Sequence, residues 1–133
     1  MMSGPPKIAV ATPTFNGIAA IREIIESVRI PKMSADARWG YVKLCRKSGE
    51  FASALAIAVA DRERHSSRLV IGAANGAPLV LEEASRLLSE RRRHEIGGAV
   101  TVDLDRAADR HFDEFQRNLH TVAAMRAVQQ VLQ

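Results

Sequence analysis

The hydrophobic pattern of this chain changes its period at Pro78, and that change constrains the fold more than any other feature. Before Pro78, segments such as Trp39–Lys47 alternate apolar and polar residues, which is the pattern of a β-strand. After Pro78, apolar residues recur every three or four positions, as on one helix face. Strands followed by helices predict an α+β domain, with a three- to four-stranded antiparallel sheet and about three helices packed on one face.

Four segments are candidate strands. The first is the second half of Ile21–Ile30, where helical and strand periods both fit and Pro31 favours the strand. Trp39–Lys47 is the second. Phe51–Ala60 is a nearly continuous run of small apolar residues, which predicts a buried strand after a short helical turn. Arg68–Ala74 is the fourth.

Three helices are predicted after the strands. Leu81–Glu90 has one apolar face, Gly97-Gly98 interrupts the pattern, and a short helix is expected over Asp103–Arg110. The last helix runs to the C-terminus with Asp113 as its N-cap or first-turn acid. Its amphipathic stripe consists of Phe115, Leu119, Val122, Met125, Val128 or Gln129, and Leu132.

Composition limits the class of protein. A chain of 133 residues with 47% apolar content is one domain with a hydrophobic core. The single Cys45 excludes an internal disulfide and fits a reducing compartment. No stretch approaches the ~20 apolar residues of a membrane helix, and the N-terminus lacks a signal-peptide pattern. We therefore expect a cytoplasmic protein, with residues 1–19 as an irregular lead-in and residues 20–133 as the domain.

Charge and motifs exclude several kinds of site. The net charge is +4, but the basic residues are dispersed except at Arg91–Arg93, which is either a solvated helix end or an anion or nucleic-acid contact. With six aromatic residues in the chain, a nucleic-acid partner is not favoured. Gly72–Gly76 lacks the spacing of a phosphate loop, and neither Cys45 nor Ser53 has a base partner in the sequence. The four histidines, which have no metal-ligand spacing, are His65, His94, His111 and His120. Motifs alone therefore give no catalytic or metal-binding residue.

One ordered series of segments is informative as a set. It comprises Glu26–Pro31, Trp39–Ala52, Ala56–Ala60, Arg68–Pro78, Leu81–Leu88 and Glu114–Arg126. This series resembles the C-terminal domain of the FAD-binding (medium) subunit of molybdenum hydroxylases, the family of carbon monoxide dehydrogenase and xanthine dehydrogenase. Glu50 stands where that family usually has Asp, and Phe115-Gln116-Arg117 replaces its usual Tyr-Arg.

The resemblance implies a function and partners. The domain would complete the FAD pocket and dock neighbouring subunits, for electron transfer from iron–sulfur clusters to FAD. Its expected partners are a flavin-binding N-terminal domain and the molybdenum and iron–sulfur subunits, and a homodimer is left open. Nothing in the sequence matches the family's Gly-rich flavin loops, so residues 1–19 would be a remnant of a preceding flavin domain. The chain alone is expected to bind no FAD tightly and to catalyse nothing. The alternative is a non-enzymatic interaction or oligomerisation module of the same fold.

Lys43 is the one cofactor-binding residue that the resemblance implies. It matches the strand lysine that approaches the flavin ring edge in an intact subunit, where a cation stabilises anionic reduced flavin. The alternative is a solvated lysine on a half-exposed strand. Arg46 is expected to form a salt bridge or to pack, Gly49 to have a positive φ, and Glu50 to cap the turn at Phe51.

Overall fold

The computed structural model describes residues 29–107 and 109–133. These residues form four strands and three helices. The strands are β1 (Arg38–Leu44), β2 (Ala54–Asp61), β3 (Ser66–Gly72) and β4 (Leu79–Val80). The helices are α1 (Glu82–Ser89), α2 (Arg93–Arg106) and α3 (Glu114–Leu132). All seven elements belong to one unit, Met33–Gln133.

The strands form an antiparallel sheet in the order β1-β2-β3-β4, which confirms the predicted α+β class. Three of the predicted strands are present with shifted ends. The predicted strand before Pro31 lies mostly outside the described residues, and Arg29 and Ile30 belong to no strand. The fourth strand is instead the two-residue β4, which is too short to show a period in the sequence.

Only one face of the sheet is fully buried. Along β2, Ala54, Ala56 and Ala58 are buried, whereas Ile57 between them is exposed. Helix α3 contacts β1 and β2, α1 contacts β3, and α2 contacts both other helices, so within the described residues the helices cover the alanine face. The prediction of a buried strand over Phe51–Ala60 is therefore wrong for its second face, because small apolar residues occur on both faces here.

Helix α3 packs unusually close to β1. Gly40 lies under Ala127, and a Cβ atom at Gly40 would overlap the Ala127 carbonyl oxygen and lie 2.9 Å from Gln130 Cβ. The buried face of the helix is mostly alanine and valine: His120, Ala123, Ala124, Ala127, Val128 and Val131. The predicted stripe is confirmed only in part. Val128 is buried and Leu119, Met125 and Leu132 pack against the core, whereas Phe115 is 71% exposed and Val122 is also exposed. Small side chains are selected because the helix and the strand are so near each other.

Helix α2 passes through the glycine pair that was predicted to interrupt it. A Cβ atom at Gly97 would lie 3.8 Å from the Met125 sulfur, which is an ordinary contact. A Cβ atom at Gly98 would have nothing within 4 Å. The buried side chains of Ile96 and Val100 stabilise this turn of α2 against its neighbours. Packing therefore offsets the helix cost of two glycines, which is about 1 kcal/mol each, and the prediction of a helix beginning at Asp103 is wrong.

The N-termini of α1 and α3 are capped differently. Asp113 caps α3 as predicted, because its carboxylate accepts a hydrogen bond from the Gln116 N–H and the Gln116 side-chain oxygen accepts one from the Asp113 N–H. Helix α1 begins after Leu81, whose side chain cannot cap it. Buried Asp103 of α2 takes this role, since its carboxylate accepts hydrogen bonds from the backbone N–H groups of Glu83 (3.3 Å) and Ala84 (3.0 Å).

Candidate site at the edge strand β1

Lys43 lies near the end of β1, which is an edge strand of the sheet. Its register partner is Leu55 on β2, which in turn is opposite Gly72 on β3. The side chain of Lys43 is exposed and points away from the helix-covered face, because the neighbouring Val42 is buried. Within the described residues, Lys43 makes no ion pair.

A shallow groove of about 570 Å³ runs between β1 and α3 beside Lys43. Tyr41 and Lys43 line one wall, and Arg126, Gln129 and Gln130 line the other. Arg126, like Lys43, has no ion-pair partner in the part of the chain that the structure describes. Two basic residues therefore line one groove, and its described lining has no Asp or Glu side chain. Such a groove favours an anionic or electron-rich ligand edge.

The side chain of Gln130 fixes the geometry of this groove. Its amide oxygen accepts a hydrogen bond from the Tyr41 N–H at 2.9 Å, and its amide nitrogen donates to the Tyr41 carbonyl at 3.4 Å. The side chain thus bonds the outward backbone groups of Tyr41, and such groups of an edge strand are otherwise prone to pair with another chain. Sequence reasoning missed Arg126 and Gln130. The signal was a polar i, i+3, i+4, i+7 series from Arg126 to Gln133.

The open face of the sheet is apolar around Lys43. Trp39 is 65% exposed, and Tyr41, Ile57 and Val80 are also exposed. The register places Tyr41, Ile57, Val70 and Val80 in one row across the four strands. A contiguous exposed apolar surface of this kind is typical of an interface with another domain or protein.

The turn after β1 is only partly as predicted. Gly49 has a φ of 87°, as expected for a turn glycine. Arg46 is paired with Glu50 at 3.9 Å, which agrees with a salt-bridging role for Arg46. The expected helical turn at Phe51 is absent, and Glu50 caps nothing there; Phe51 is 98% exposed. The hydrogen bond from the Ser53 N–H to the Leu44 carbonyl closes the loop directly, which leaves no room for a helical turn.

The loop after β3 is a structural strand end. Ala73 and Asn75 have positive φ angles, and the Asn75 side chain donates a hydrogen bond to the His111 carbonyl at 2.6 Å. Arg110 donates to the carbonyls of Ala74 and Ala77. These hydrogen bonds tie the polar groups of the loop to the segment before α3. Phosphate binding by Gly72–Gly76, which the sequence did not favour, finds no support here.

His120 is the one buried histidine of the described residues. It lies on α3 with its ring edge toward Phe112, and its Nδ1 atom has no hydrogen-bond partner in the described part of the chain. Burial lowers the pKa of its imidazole, although a backbone hydrogen bond to Ala73 opposes that shift. His120 is therefore a neutral core residue. No group of His, Cys, Asp and Glu among residues 29–107 and 109–133 could hold a metal ion.

The residues present fit one edge of a flavin and not a whole FAD. Lys43 and Arg126 lie on the two walls of a shallow groove. Enclosure of the ring and of a diphosphate would have to come from elsewhere.

Over the same described residues, no helix combines the length and apolar character needed to span a membrane.

Comparison with solved structures identifies the fold. A reconstituted CO dehydrogenase from Oligotropha carboxidovorans is similar with a TM-score of 0.60 and 22% identity. The chain has the fold of part of a carbon monoxide dehydrogenase chain. A cyanide-inactivated Cu,Mo-CO dehydrogenase (TM-score 0.59, 20% identity) and the carbon monoxide dehydrogenase of Hydrogenophaga pseudoflava lacking the Mo-pyranopterin moiety (TM-score 0.58, 18% identity) are similar too.

These similarities cover 77% of this chain and 39% of each carbon monoxide dehydrogenase chain, so this chain spans about two fifths of their length. The resemblance inferred from the ordered segments is thus confirmed for the fold. Protein-family models give no match, and no curated protein matches the sequence.

Proposed function

We propose that this chain is the C-terminal domain of a molybdenum hydroxylase flavoprotein subunit, which completes an FAD pocket and docks neighbouring subunits. The observation that carries the proposal is the placement of Lys43. Within the described residues this exposed lysine makes no ion pair and lies beside an exposed apolar face of the sheet, in a fold similar to part of a carbon monoxide dehydrogenase chain. In this proposal residues 20–133 are the domain, residues 1–19 are its lead-in from a flavin domain, and the free thiol of Cys45 fits a cytoplasmic location.

Lys43 would act on the flavin through charge. FAD, when bound by the intact subunit, supplies the redox chemistry of electron transfer. A cation at the ring edge stabilises the anionic reduced form, and the low dielectric of a closed pocket strengthens that effect. Arg126 adds a second cation to the same groove.

The chain alone offers a shallow groove, so it would bind FAD weakly. A ligand that buries one edge only gains little free energy against its loss of mobility. A flavin-binding N-terminal domain is therefore the first expected partner, followed by the molybdenum and iron–sulfur subunits. The exposed apolar row through Tyr41 and Ile57 is the surface that suits such docking.

The variant Lys43→Ala tests the proposed role in a reconstituted pair of this chain and its flavin-binding partner. We expect the flavin midpoint potential to fall by about 30 mV, equivalent to about 1.4 kcal/mol for a two-electron couple, because reduced flavin loses a stabilising cation. Lys47→Ala is the matched control, since Lys47 is also exposed and lies outside the groove. If the two variants had equal flavin midpoint potentials, the proposal that Lys43 lies at the flavin edge would be wrong.

A second candidate function is a non-enzymatic interaction or oligomerisation module. The observation that favours it is the open sheet face, whose exposed Trp39 needs no cofactor to explain it. The α3 stripe also leaves Phe115 exposed. Such a module would bind a protein partner or itself, with no effect on flavin affinity.

A further inference from the structure

A second groove, of about 740 Å³, lies at the opposite end of the sheet from Lys43. There Arg38 opens β1, and Arg62 and His65 lie in the hairpin between β2 and β3. Arg91, which follows α1, closes the other side. The register separates the two grooves, since Arg38 is opposite Ala60 and Lys43 is opposite Leu55.

The arginines of this groove differ from most others in the described chain. Arg46, Arg64, Arg68, Arg86, Arg92, Arg106, Arg110 and Arg117 each lie within 4 Å of a carboxylate. Arg38, Arg62 and Arg91 make no ion pair and no side-chain hydrogen bond to residues 29–107 or 109–133. Three arginines without a partner among the described residues therefore line one concave surface, and such a cluster of positive charge favours anions.

The groove lining also contains two acidic side chains, Asp61 and Asp36. Asp61 is buried and accepts hydrogen bonds from the backbone N–H of Ser34 at 2.9 Å, from the Ser34 hydroxyl, and from the backbone N–H of Arg64 at 3.2 Å. Asp36 is exposed, and its carboxylate lies 3.0 Å from the same hydroxyl oxygen, whose single proton bonds Asp61. Asp61 thus orders the loop before β1, and among the described residues neither carboxylate forms an ion pair with Arg38, Arg62 or Arg91.

The C-terminus of α1 does not use the Arg91 side chain either. The Arg91 N–H donates to the Leu88 carbonyl at 3.1 Å, and the Arg92 N–H donates to the Leu87 carbonyl at 3.0 Å. These bonds close the helix end through the backbone and fix Arg91 at a φ of 59°. This backbone turn places Arg91 in the groove lining.

We propose that this groove binds the phosphate or diphosphate group of a small molecule through Arg38, Arg62 and Arg91. Guanidinium forks match phosphate oxygens in pairs, and the exposed Ser66 hydroxyl offers a further donor on the hairpin side. The volume is within the range of small-molecule sites. Apart from the His65 imidazole, the lining has no aromatic ring, so it lacks the stacking platform that single-stranded nucleic acids use. The proposal is independent of the flavin function.

Titration of the full chain with inorganic pyrophosphate, followed by amide NMR shifts and calorimetry, tests this site. We expect saturable one-to-one binding with shifts at the hairpin and after α1. Arg91→Gln should weaken binding by at least about fivefold, because charge-assisted bonds to phosphate are lost. Arg38→Gln should give a similar loss from the other wall.

Arg93→Gln is the matched control, because Arg93 is also exposed and unpaired within the described residues but lies outside the groove. Its affinity should stay within about twofold of the parent chain, as expected for a screened distant charge. Absence of saturable binding, or equal losses in the Arg91 and Arg93 variants, would overturn the site. Tighter, length-dependent binding of a mixed single-stranded oligonucleotide would overturn it in favour of a nucleic-acid surface.

Discussion

Replacing Gly40 with alanine is expected to lower the free energy of unfolding by about 3 kcal/mol, the upper range for overpacking a tight contact. The new Cβ would overlap the Ala127 carbonyl oxygen and lie 3.0 Å from the Ala127 carbonyl carbon. Both are backbone atoms, so the clash cannot be relieved by a rotamer change. Helix α3 would have to move away from β1, which would also break the bonds between Gln130 and Tyr41.

Urea denaturation of both Gly40→Ala and Gly98→Ala measures this effect. Gly98 is the matched control because it lies inside α2 with nothing within 4 Å of its built Cβ. Alanine there should raise the free energy of unfolding by about 0.5–1 kcal/mol, since glycine is the poorer helix former. An unchanged stability of Gly40→Ala would show that α3 does not pack on β1 at this distance.

Replacing Asp103 with alanine is expected to cost about 3 kcal/mol of unfolding free energy, because a buried carboxylate that caps a helix accepts charge-assisted hydrogen bonds. The change leaves the N–H groups of Glu83 and Ala84 without acceptors at the start of α1. Helix α1 has no cap from its own N-cap side chain. Its first turn should therefore exchange amide hydrogens faster.

Two further variants separate capping from other effects of removing a carboxylate. Asp103→Asn keeps one acceptor oxygen and should recover about half of the loss. Asp105→Ala removes an exposed carboxylate two residues away, paired with Arg117, and should cost less than about 1 kcal/mol. If Asp105→Ala proved as damaging as Asp103→Ala, the loss would reflect general charge and not the cap of α1.

The sequence predicted the strands and the ends of helices best where local chemistry decides them. The alternation at Trp39–Lys47 predicted β1, and Asp113 predicted the start of α3, because a cap and a strand period are local. The cap of α1 was not predictable, since its acceptor Asp103 lies about twenty positions later. The interruption predicted at Gly97-Gly98 was wrong for the same reason, because the contacts that stabilise α2 come from other helices.

The buried face of α3 shows a different limit. Its large apolar residues suggested a stripe through Phe115, yet alanines face the sheet. Side-chain size is a good guide to burial only when the distance between elements is known, and Gly40 sets that distance here. The core of the described unit does not include the exposed side chains of Phe115, Trp39 and Tyr41. Their exposure favours an interface with another domain or protein. Lys43 was placed by resemblance, and its neighbour Arg126 emerged only from the tertiary structure.

Binding of FAD by the flavin-binding partner domain, with and without this chain, tests the central claim most directly. Flavin fluorescence in such a titration should show weak binding to each component alone and at least about tenfold tighter binding to the pair, a gain of about 1.4 kcal/mol. That result is expected if this domain closes the pocket at Lys43. Flavin affinity unchanged by this chain would contradict the account and leave an interaction module as the better description.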